Sequence, residues 1–294
     1  MQLHGIVPAI VTPVDSEGKF QAEPFSKLVD YLYRSGAHGI YVCGQTGEGM
    51  IQPVAQRKLV TEEAIRNSPP GKQVIIHTGA YSTQDAVELT RHASAAGATA
   101  VSSLPPCGFY SFAEVERFYQ KVAAAATVPF LVYYFPDVCP GISSAEQIET
   151  LLGISGVAGL KFTDFDLCKM MRLKQSGAAI YNGRDEVLAA GLLMGADGGI
   201  GSFYNIAPEL FVDVYENSRH GRWKQAVETQ KRINALIRVT LQFPLIPAIK
   251  QILAWSGIGC GPAIEPRRPL TEAETSALRQ ALEQIEWEPA AVLG

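Results

Sequence analysis

The sequence predicts an α/β protein, a (βα)8 TIM barrel with a C-terminal helical extension. Up to Ser202, eight short apolar runs alternate with amphipathic stretches, which is typical of repeated βα units. Glycine stands repeatedly between the end of an amphipathic stretch and the next apolar run, as at a helix C-cap. Beyond Ser202 only helical patterns remain. Eight βα units in one block favour a closed barrel over an open doubly wound sheet.

The predicted strands are short runs rich in β-branched and small apolar residues. In order they are Gly5–Val11, Gly39–Cys43, Gln73–Thr78, Ala100–Leu104, Phe130–Tyr134, Val157–Phe162, Ala179–Asn182 and Gly198–Ser202. Amphipathic helices are predicted between them, including Pro24–Arg34, Val54–Asn67, Thr83–Ala96, Phe112–Ala125 and Ser144–Leu152. Four glycines precede a strand at equivalent positions and are predicted to be left-handed: Gly36, Gly97, Gly156 and Gly195. This recurrence predicts a parallel sheet with right-handed crossovers.

Four helices are predicted after the last strand. Pro208–Gly221 is interpreted as the eighth barrel helix, and the other three are Arg222–Phe243, Pro247–Trp255 and Thr271–Trp287. With no Ser/Gly linker in the sequence, the predicted organisation is a barrel over 1–221 and a helical extension over 222–294 packed on it.

Composition excludes several classes of function. The 294 residues are 47% hydrophobic and 18% charged, with a formal net charge of −4 and a pI near 5.8, so no basic surface for nucleic acid is expected. No signal peptide and no apolar run of about 18–20 residues is expected, which excludes a membrane partner, and the odd number of scattered cysteines favours a reducing cytoplasm. The five cysteines are scattered and the five histidines lack metal-site spacing, so neither a disulfide scaffold nor a metal site is predicted.

Lys161 is the first candidate catalytic residue. It lies at the end of the otherwise uncharged run Gly156–Thr163, where a buried strand would carry its amine into an apolar pocket. Loss of hydration lowers the pKa of an ammonium group and frees the amine as a nucleophile. Catalytic groups of a parallel barrel sit at the C-terminal ends of its strands. The alternative is a lysine that starts an exposed loop.

Three further strand ends carry candidate groups. Gly44-Gln45-Thr46-Gly47 follows the second strand, and its glycines, hydroxyl and following helix suit a carboxylate or phosphate, although a tight turn explains the glycines equally well. Tyr133 ends the fifth strand, where a phenol can act as acid or base or merely line the core. Asp185 and Glu186 follow the seventh strand, and helix capping is their default interpretation.

Taken together, these segments resemble the pyruvate-dependent class I aldolase family that contains dihydrodipicolinate synthase and N-acetylneuraminate lyase. The resemblance runs from Gly5 to about Gly261, with Gly44–Glu48 as the carboxylate loop, Tyr133–Pro136 as the Tyr-x-x-Pro motif and Lys161 in Gly-Leu-Lys. It implies a Schiff base between Lys161 and a 2-oxo acid, Tyr133 as the proton-transfer group, no separate cofactor or metal, and a homotetramer.

Within the family the motifs are more similar to the lyase. Dihydrodipicolinate synthases carry an arginine two residues after the Tyr-x-x-Pro proline, whereas this sequence has Val138 there and so lacks that guanidinium. By resemblance, the residues that bond the hydroxyls of a sugar acid are Thr163, Gly183, Asp185, Glu186 and Ser202.

The sequence departs from the family pattern at two places. Gln45 replaces the usual Ser or Thr, and an amide does not relay a proton as a hydroxyl does. Pro105–Tyr110 lacks the Tyr-Tyr pair that many members lend to a neighbouring subunit, which leaves Tyr110 as a candidate relay.

The predicted activity is cleavage of a 2-oxo sugar acid, such as N-acetylneuraminate, into pyruvate and an aldehyde such as N-acetylmannosamine. The alternatives are dihydrodipicolinate synthase, an aldolase for another 2-keto-3-deoxy sugar acid, and a non-catalytic 2-oxo acid binder.

Overall fold

Eight parallel strands form one sheet in the computed structural model, which describes residues 3–289. Their order in the sheet is β1-β8-β7-β6-β5-β4-β3-β2. The strands are β1 Gly5–Ile6, β2 Gly39–Val42, β3 Gln73–His77, β4 Ala100–Ser103, β5 Phe130–Tyr134, β6 Val157–Phe162, β7 Ala179–Asn182 and β8 Gly198–Gly199. The predicted TIM barrel is confirmed.

The barrel closes between β2 and the segment that follows β1. Tyr41 N–H donates to Pro8 O at 2.8 Å, Ile10 N–H donates to Tyr41 O at 3.0 Å, and Ala9 forms a parallel bridge with Tyr41. The predicted first strand, Gly5–Val11, is longer than β1, although Val7 N–H and Ala9 N–H still donate to Gly199 O and Gly201 O at 2.9 Å. Pro8, whose carbonyl faces β2, has no N–H with which to pair with that strand. The predicted eighth strand also ends early, because Phe203–Asn205 forms a 3₁₀ turn directly after Ser202.

Helices follow the strands around the outside of the barrel. They are α1 Ala22–Arg34, α2 Val54–Arg66, α3 Thr83–Ala96, α4 Phe112–Ala124, α5 Ala145–Leu152, α6 Leu167–Lys174, α7 Leu188–Leu193 and α8 Pro208–Arg219. The glycines predicted to be left-handed, Gly36, Gly97, Gly156 and Gly195, all have φ between +88° and +101°. Each therefore supplies a backbone conformation that side chains with a Cβ rarely adopt.

The alternation of side chains along the strands divides the core into an outer and an inner part and determines which residues face the candidate site. On β6, Leu160 and Phe162 pack outward against the helices, which leaves Lys161 pointing into the barrel. On β5, Val132 and Tyr134 likewise pack outward, and Tyr133 joins the inner cluster. The register pairs Tyr133 with Lys161 on neighbouring strands. Two polar side chains are thus placed side by side within the barrel.

Three helices complete the described chain: α9 Trp223–Thr240, α10 Leu245–Trp255 and α11 Glu272–Gln284. The predicted extension runs to 294, and residues 290–294, like residues 1–2 of the predicted barrel, lie outside the described residues. Between positions 3 and 289, no single helix is long and apolar enough to cross a membrane. The helices α9 and α10 have the required length and apolarity only when taken together, and they are bent by 111° relative to each other.

Candidate active site

Lys161 is buried at the C-terminal end of β6, with 4% of its surface exposed. Its Nζ lies 4.3 Å from the centre of the Tyr41 ring and 4.1 Å from that of Tyr133, so the ammonium group faces aromatic surfaces. Burial lowers its pKa from the ordinary 10.5 to about 7, against the opposing effect of Asp185. A substantial fraction of this amine is therefore uncharged near neutral pH. The structure excludes the alternative of an exposed loop lysine.

Tyr133 lies beside Lys161 and is also buried. Burial raises the pKa of its phenol well above the ordinary value, so the resting side chain is protonated. Its ring meets the rings of Tyr41 and His77 edge to face, at 6.1 and 6.0 Å between centroids. His77 Nε2 accepts the Leu104 N–H at 3.0 Å, which leaves Nδ1 to donate to Cys43 O at 3.0 Å. Burial strongly lowers the pKa of His77, so the imidazole that packs against Tyr133 is neutral.

Thr163 follows β6 and is anchored through its backbone, since its N–H donates to Tyr134 O at 2.9 Å. Its hydroxyl is buried near the Tyr133 phenol, and among the described residues Oγ1 has no partner in hydrogen-bonding geometry. A Cβ on Gly183 would lie 2.0 Å from Oγ1. Glycine at 183 therefore makes the space that this hydroxyl occupies.

The loop after β2 is held in shape by its own contacts. Gly47 O accepts hydrogen bonds from Thr12 Oγ1 at 2.7 Å and from Gln52 Nε2 at 2.6 Å. Thr46 Oγ1 lies 2.5 Å from Ser202 Oγ, which joins this loop to the one after β8. Within the described chain, the N–H groups of Thr46 and Gly47 have no hydrogen-bond acceptor. Free backbone donors on a fixed loop are what a carboxylate requires.

The same loop contains strained and closely packed backbone. Cys43 and Glu48 flank it with φ of 58° and 56°, in the left-handed region. A Cβ on Gly44 would lie 2.6 Å from the Tyr41 ring, and one on Gly49 would lie 1.8 Å from Cys43 O. The glycines are thus required by the turn, and they also allow a ligand to approach the backbone. The tight-turn interpretation holds at this loop, and carboxylate binding by it stays a prediction.

Asp185 points into the barrel mouth, where its Oδ2 accepts the Phe203 N–H at 2.9 Å. It therefore connects the loops after β7 and β8, and the default prediction that it caps the following helix is wrong for this residue. Its Oδ1 is buried and has no partner among residues 3–289. Burial raises the pKa of this carboxyl to about 7. A Cβ on Gly201 would lie 1.7 Å from Oδ1, so Gly201 is needed to seat the carboxyl group.

A cavity of about 320 Å³ opens at this end of the barrel. Among its lining residues are most of those predicted from the sequence: Lys161, Tyr133, Gln45, Thr46, Thr163, Gly183, Asp185, Glu186 and Ser202. Gly44 and Gly47 lie in the adjoining loop rather than in the wall. Tyr110 is 39% exposed on the segment before α4 and does not line the cavity. Nowhere in residues 3–289 are three His, Cys, Asp or Glu side chains grouped to hold a metal ion.

Sequence reasoning missed Arg184 as a site residue, although it stands between two residues that were predicted. Its guanidinium lies 5.2 Å from the centre of the Phe135 ring and pairs with Asp137. Val138 does replace the arginine of dihydrodipicolinate synthases, but the cavity wall contains guanidinium groups, because the loop after β7 supplies Arg184 and the helical extension supplies Arg267. Tyr41 was also missed, and its place on the inward-facing side of β2 was the signal that could have found it.

The helical extension completes the cavity wall with four side chains: Leu241, Leu245, Ile246 and Arg267. It also holds the loop after β7 by its backbone. Gln230 Nε2 donates to Asp185 O and Asn234 Nδ2 donates to Glu186 O, both at 3.0 Å. These contacts fix the backbone from which both carboxylates project.

A buried ion pair connects the extension to the loop after β2. Glu48 Oε2 lies 2.9 Å from Lys250 Nζ, with both side chains at most 2% exposed. Glu48 Oε1 also accepts the Ile264 N–H at 2.9 Å, and Lys250 donates to Pro262 O at 2.7 Å. The conformations of the loops after β2 and β7 thus depend on contacts with residues more than 40 positions away in the chain.

The chain is similar to known proteins over nearly its full length. Residues 2–285 match the model of the dihydrodipicolinate synthetase family. The chain is 33% identical over 289 residues to an N-acetylneuraminate lyase of Rhizobium meliloti, covering 97% of this chain and 96% of the relative.

Two solved structures have the same fold. An N-acetylneuraminate lyase from Aliivibrio salmonicida is 29% identical with a TM-score of 0.90, covering 98% of each chain. A sialic acid aldolase of Ruminococcus gnavus is 28% identical with a TM-score of 0.91, covering 96% of each chain. With this match and the lysine at its barrel mouth, the chain belongs to the dihydrodipicolinate synthetase family of pyruvate-dependent class I aldolases.

Proposed function

We propose that this protein cleaves a 2-oxo sugar acid such as N-acetylneuraminate into pyruvate and N-acetylmannosamine. The observation that carries the proposal is the buried Lys161 amine, which has a lowered pKa and faces the cavity beside Tyr133. Relatives with 31–33% identity are named N-acetylneuraminate lyases, which supports the sugar acid over the substrates of dihydrodipicolinate synthase.

Lys161 begins the reaction as a nucleophile. Its neutral amine attacks the ketone carbon C2 of the substrate, and loss of water leaves a protonated imine. The N–H groups of Thr46 and Gly47 in the Gly44–Gly47 loop bind the adjacent carboxylate. The imine then draws electrons from the C3–C4 bond.

Tyr133 acts as the proton-transfer group. Its phenol is protonated in the resting site and gives this proton to the carbinolamine hydroxyl that leaves as water. The cationic imine at Lys161, on the neighbouring strand, then stabilises the phenolate. The phenolate takes the proton of the C4 hydroxyl as the C3–C4 bond breaks and the aldehyde leaves. The Tyr133 phenol returns this proton to C3 of the resulting enamine. Water then hydrolyses the imine, which releases pyruvate, restores the neutral amine and returns a proton to the phenolate.

The polyol part of the substrate contacts the far side of the cavity. Thr163 Oγ1 and Asp185 Oδ1 are buried, and within the described residues neither has a partner, so both are available to sugar hydroxyls. Glu186, Ser202 and the backbone of Gly183 line the same side. Tyr110 lies outside the cavity of its own chain, so it contributes to proton relay only if assembly places it at the cavity of a neighbouring subunit.

Borohydride trapping with pyruvate tests the first step. We expect reduction to fix pyruvate on Lys161 in the wild type and in Tyr133→Phe, and to fix nothing in Lys161→Met. Tyr133→Phe should lose about 10²–10⁴-fold in turnover of N-acetylneuraminate, as expected for removal of an acid–base group. Full turnover in that variant would refute the role of Tyr133. A trapped adduct without turnover of any sugar acid indicates a 2-oxo acid binder, and absence of an adduct contradicts the aldolase and the binder together.

Gln45 favours a second candidate, an aldolase for another 2-keto-3-deoxy sugar acid. Its amide lies in the cavity wall next to Thr46, where the family usually has a hydroxyl. Parallel assays with N-acetylneuraminate, with other 2-keto-3-deoxy sugar acids and with pyruvate plus aspartate semialdehyde discriminate these activities.

We carry three further expectations from the sequence and from the family resemblance. The protein needs no cofactor beyond the Schiff base on Lys161, it assembles as a homotetramer, and it works in the cytoplasm. Light scattering coupled to size-exclusion chromatography tests the tetramer, and turnover after extensive chelation tests the first expectation.

A further inference from the structure

Two cysteine thiols meet above the barrel, between loops that precede different helices. Cys107 lies between β4 and α4, Cys139 lies between β5 and α5, and their Sγ atoms are 3.0 Å apart. Both are free thiols. A disulfide bond has an S–S length of about 2.05 Å, so the two sulfur atoms need to approach by only about 1 Å.

The two thiols have different surroundings. Cys139 is 3% exposed, packs in the same inner cluster as Tyr133, and points its Sγ toward Pro105 O at 3.5 Å. Cys107 is half-buried and borders solvent next to the exposed Gly108. The hydrogen bond from the Cys139 thiol lowers the pKa of Cys107 to about 7, although burial opposes it. An accessible thiolate with a second thiol directly behind it is the arrangement of an attacking and a resolving cysteine.

The remaining cysteines lack this arrangement. Cys43 and Cys260 are buried, and burial raises the pKa of both thiols. Cys168 is exposed on α6. In the described residues, only Cys107 and Cys139 have their sulfur atoms within hydrogen-bonding distance of one another.

We propose that Cys107 and Cys139 form an oxidative modification site, which reacts with low-molecular-weight disulfides such as glutathione disulfide and closes into an intramolecular disulfide. The Cys107 thiolate attacks one sulfur of the reagent, whose S–S bond breaks and releases one thiolate. Cys139 then loses its proton and attacks Cys107 Sγ, which releases the second thiolate. The two protein thiols are oxidised, the reagent is reduced to two thiols, and the two protons pass to them.

The disulfide would connect the loops after β4 and β5 beside the cavity. One of these loops carries Tyr110, and the other leads from Tyr133 through Phe135 to Val138. A crosslink across these loops restricts the unfolded chain. We therefore expect oxidation to raise the apparent midpoint of thermal unfolding by a few degrees.

The experiment uses the full-length Cys168→Ser protein, which removes the exposed cysteine on α6. After incubation with glutathione disulfide, we expect peptide mapping to show a peptide pair joined through Cys107 and Cys139, the mass to fall by two hydrogen atoms, and dithiothreitol to reverse the change. With Cys139→Ser added, Cys107 should instead keep a stable glutathione adduct. With Cys107→Ser added, Cys139 should remain unmodified in the folded protein.

Each of several results would overturn the proposal. They are a persistent glutathione adduct on Cys107 when Cys139 is present, equal labelling of Cys43 or Cys260, and a crosslink that forms only after denaturation. Cys107→Ser changes a half-buried side chain, so it keeps the test valid if Cys139→Ser fails to fold. All readouts are masses and melting midpoints, which do not depend on the sugar-acid activity.

Discussion

Replacing Lys161 by methionine should stabilise the protein while abolishing its imine chemistry. Methionine has a similar length but no charge, and the position is 4% exposed. The pKa of the lysine falls from 10.5 in the unfolded chain to about 7 in the folded one. At pH 7, this difference corresponds to an upper limit of about 4 kcal/mol by which the native amine destabilises the fold.

The stability of the wild type relative to Lys161→Met should depend on pH in one direction. Between pH 7 and 10.5 the unfolded chain binds the proton that the folded chain has lost, so the stability of the wild type rises with pH in this window. Below pH 7 both states are protonated and the cost is largest. The advantage of Lys161→Met should therefore be greatest at or below pH 7 and should disappear as the pH approaches 10.5.

Thermal unfolding followed by circular dichroism between about pH 6 and pH 10 measures this difference. At neutral pH we expect the apparent midpoint of the variant to lie about 5–10 °C above that of the wild type. Lys169→Met is the matched control, because Lys169 Nζ pairs with Asp164 at 2.9 Å and donates to Tyr134 Oη at 3.0 Å. Its loss should lower the midpoint. A Lys161→Met variant that is less stable at every pH, or whose advantage does not change with pH, would refute the reasoning.

Three other predictions follow from the site. If the neutral Lys161 amine attacks the substrate, kcat/KM should rise about tenfold per pH unit below about pH 7 and then level off, and a flat profile would contradict this. Gly201→Ala places a Cβ 1.7 Å from the Asp185 carboxyl and should lower kcat/KM by at least about 10-fold. Gly259→Ala is the control, because a Cβ at position 259 meets open space, and this variant should keep the wild-type kcat/KM. Equal kinetics for the two variants would show that the position of the Asp185 carboxyl group does not matter for activity. Glu48→Gln leaves the Lys250 charge buried without its partner and should lower the free energy of unfolding in urea by about 3–5 kcal/mol. Adding Lys250→Met should recover part of this loss. A Glu48→Gln variant as stable as the wild type would show that the ion pair is dispensable.

Strand alternation made the central residues predictable. An inward-facing lysine requires only that Leu160 and Phe162 face the helices, and both are apolar. The positive-φ glycines were predictable for the same local reason, since the chain must turn from helix to strand within a few residues. The incomplete pairing of the first strand with β2 could also have been anticipated, because Pro8 lacks the N–H that this pairing requires.

Other features depend on contacts that no local pattern contains. Ile264 N–H bonds to Glu48 across 216 positions, and Gln230 reaches Asp185 O across 45. The pairing of Arg184 with Asp137 also requires knowing that the loops after β5 and β7 face each other across the cavity mouth. The roles assigned to the polyol-binding residues and to Tyr110 remain predictions, as does the division of the chain at 221.

The ties between the extension and the barrel loops have a consequence for protein engineering. A designer who exchanges the loop after β2 or β7 for that of a relative, in order to change the accepted aldehyde, either removes the carboxylate partner of Lys250 or displaces the backbone carbonyls that accept from Gln230 and Asn234. The graft would then leave polar groups of α9 and α10 buried without their counterparts. Acceptor specificity should therefore be transplanted as a unit of loop plus matching helix, and chimeras that divide this unit should express poorly whatever their catalytic residues are.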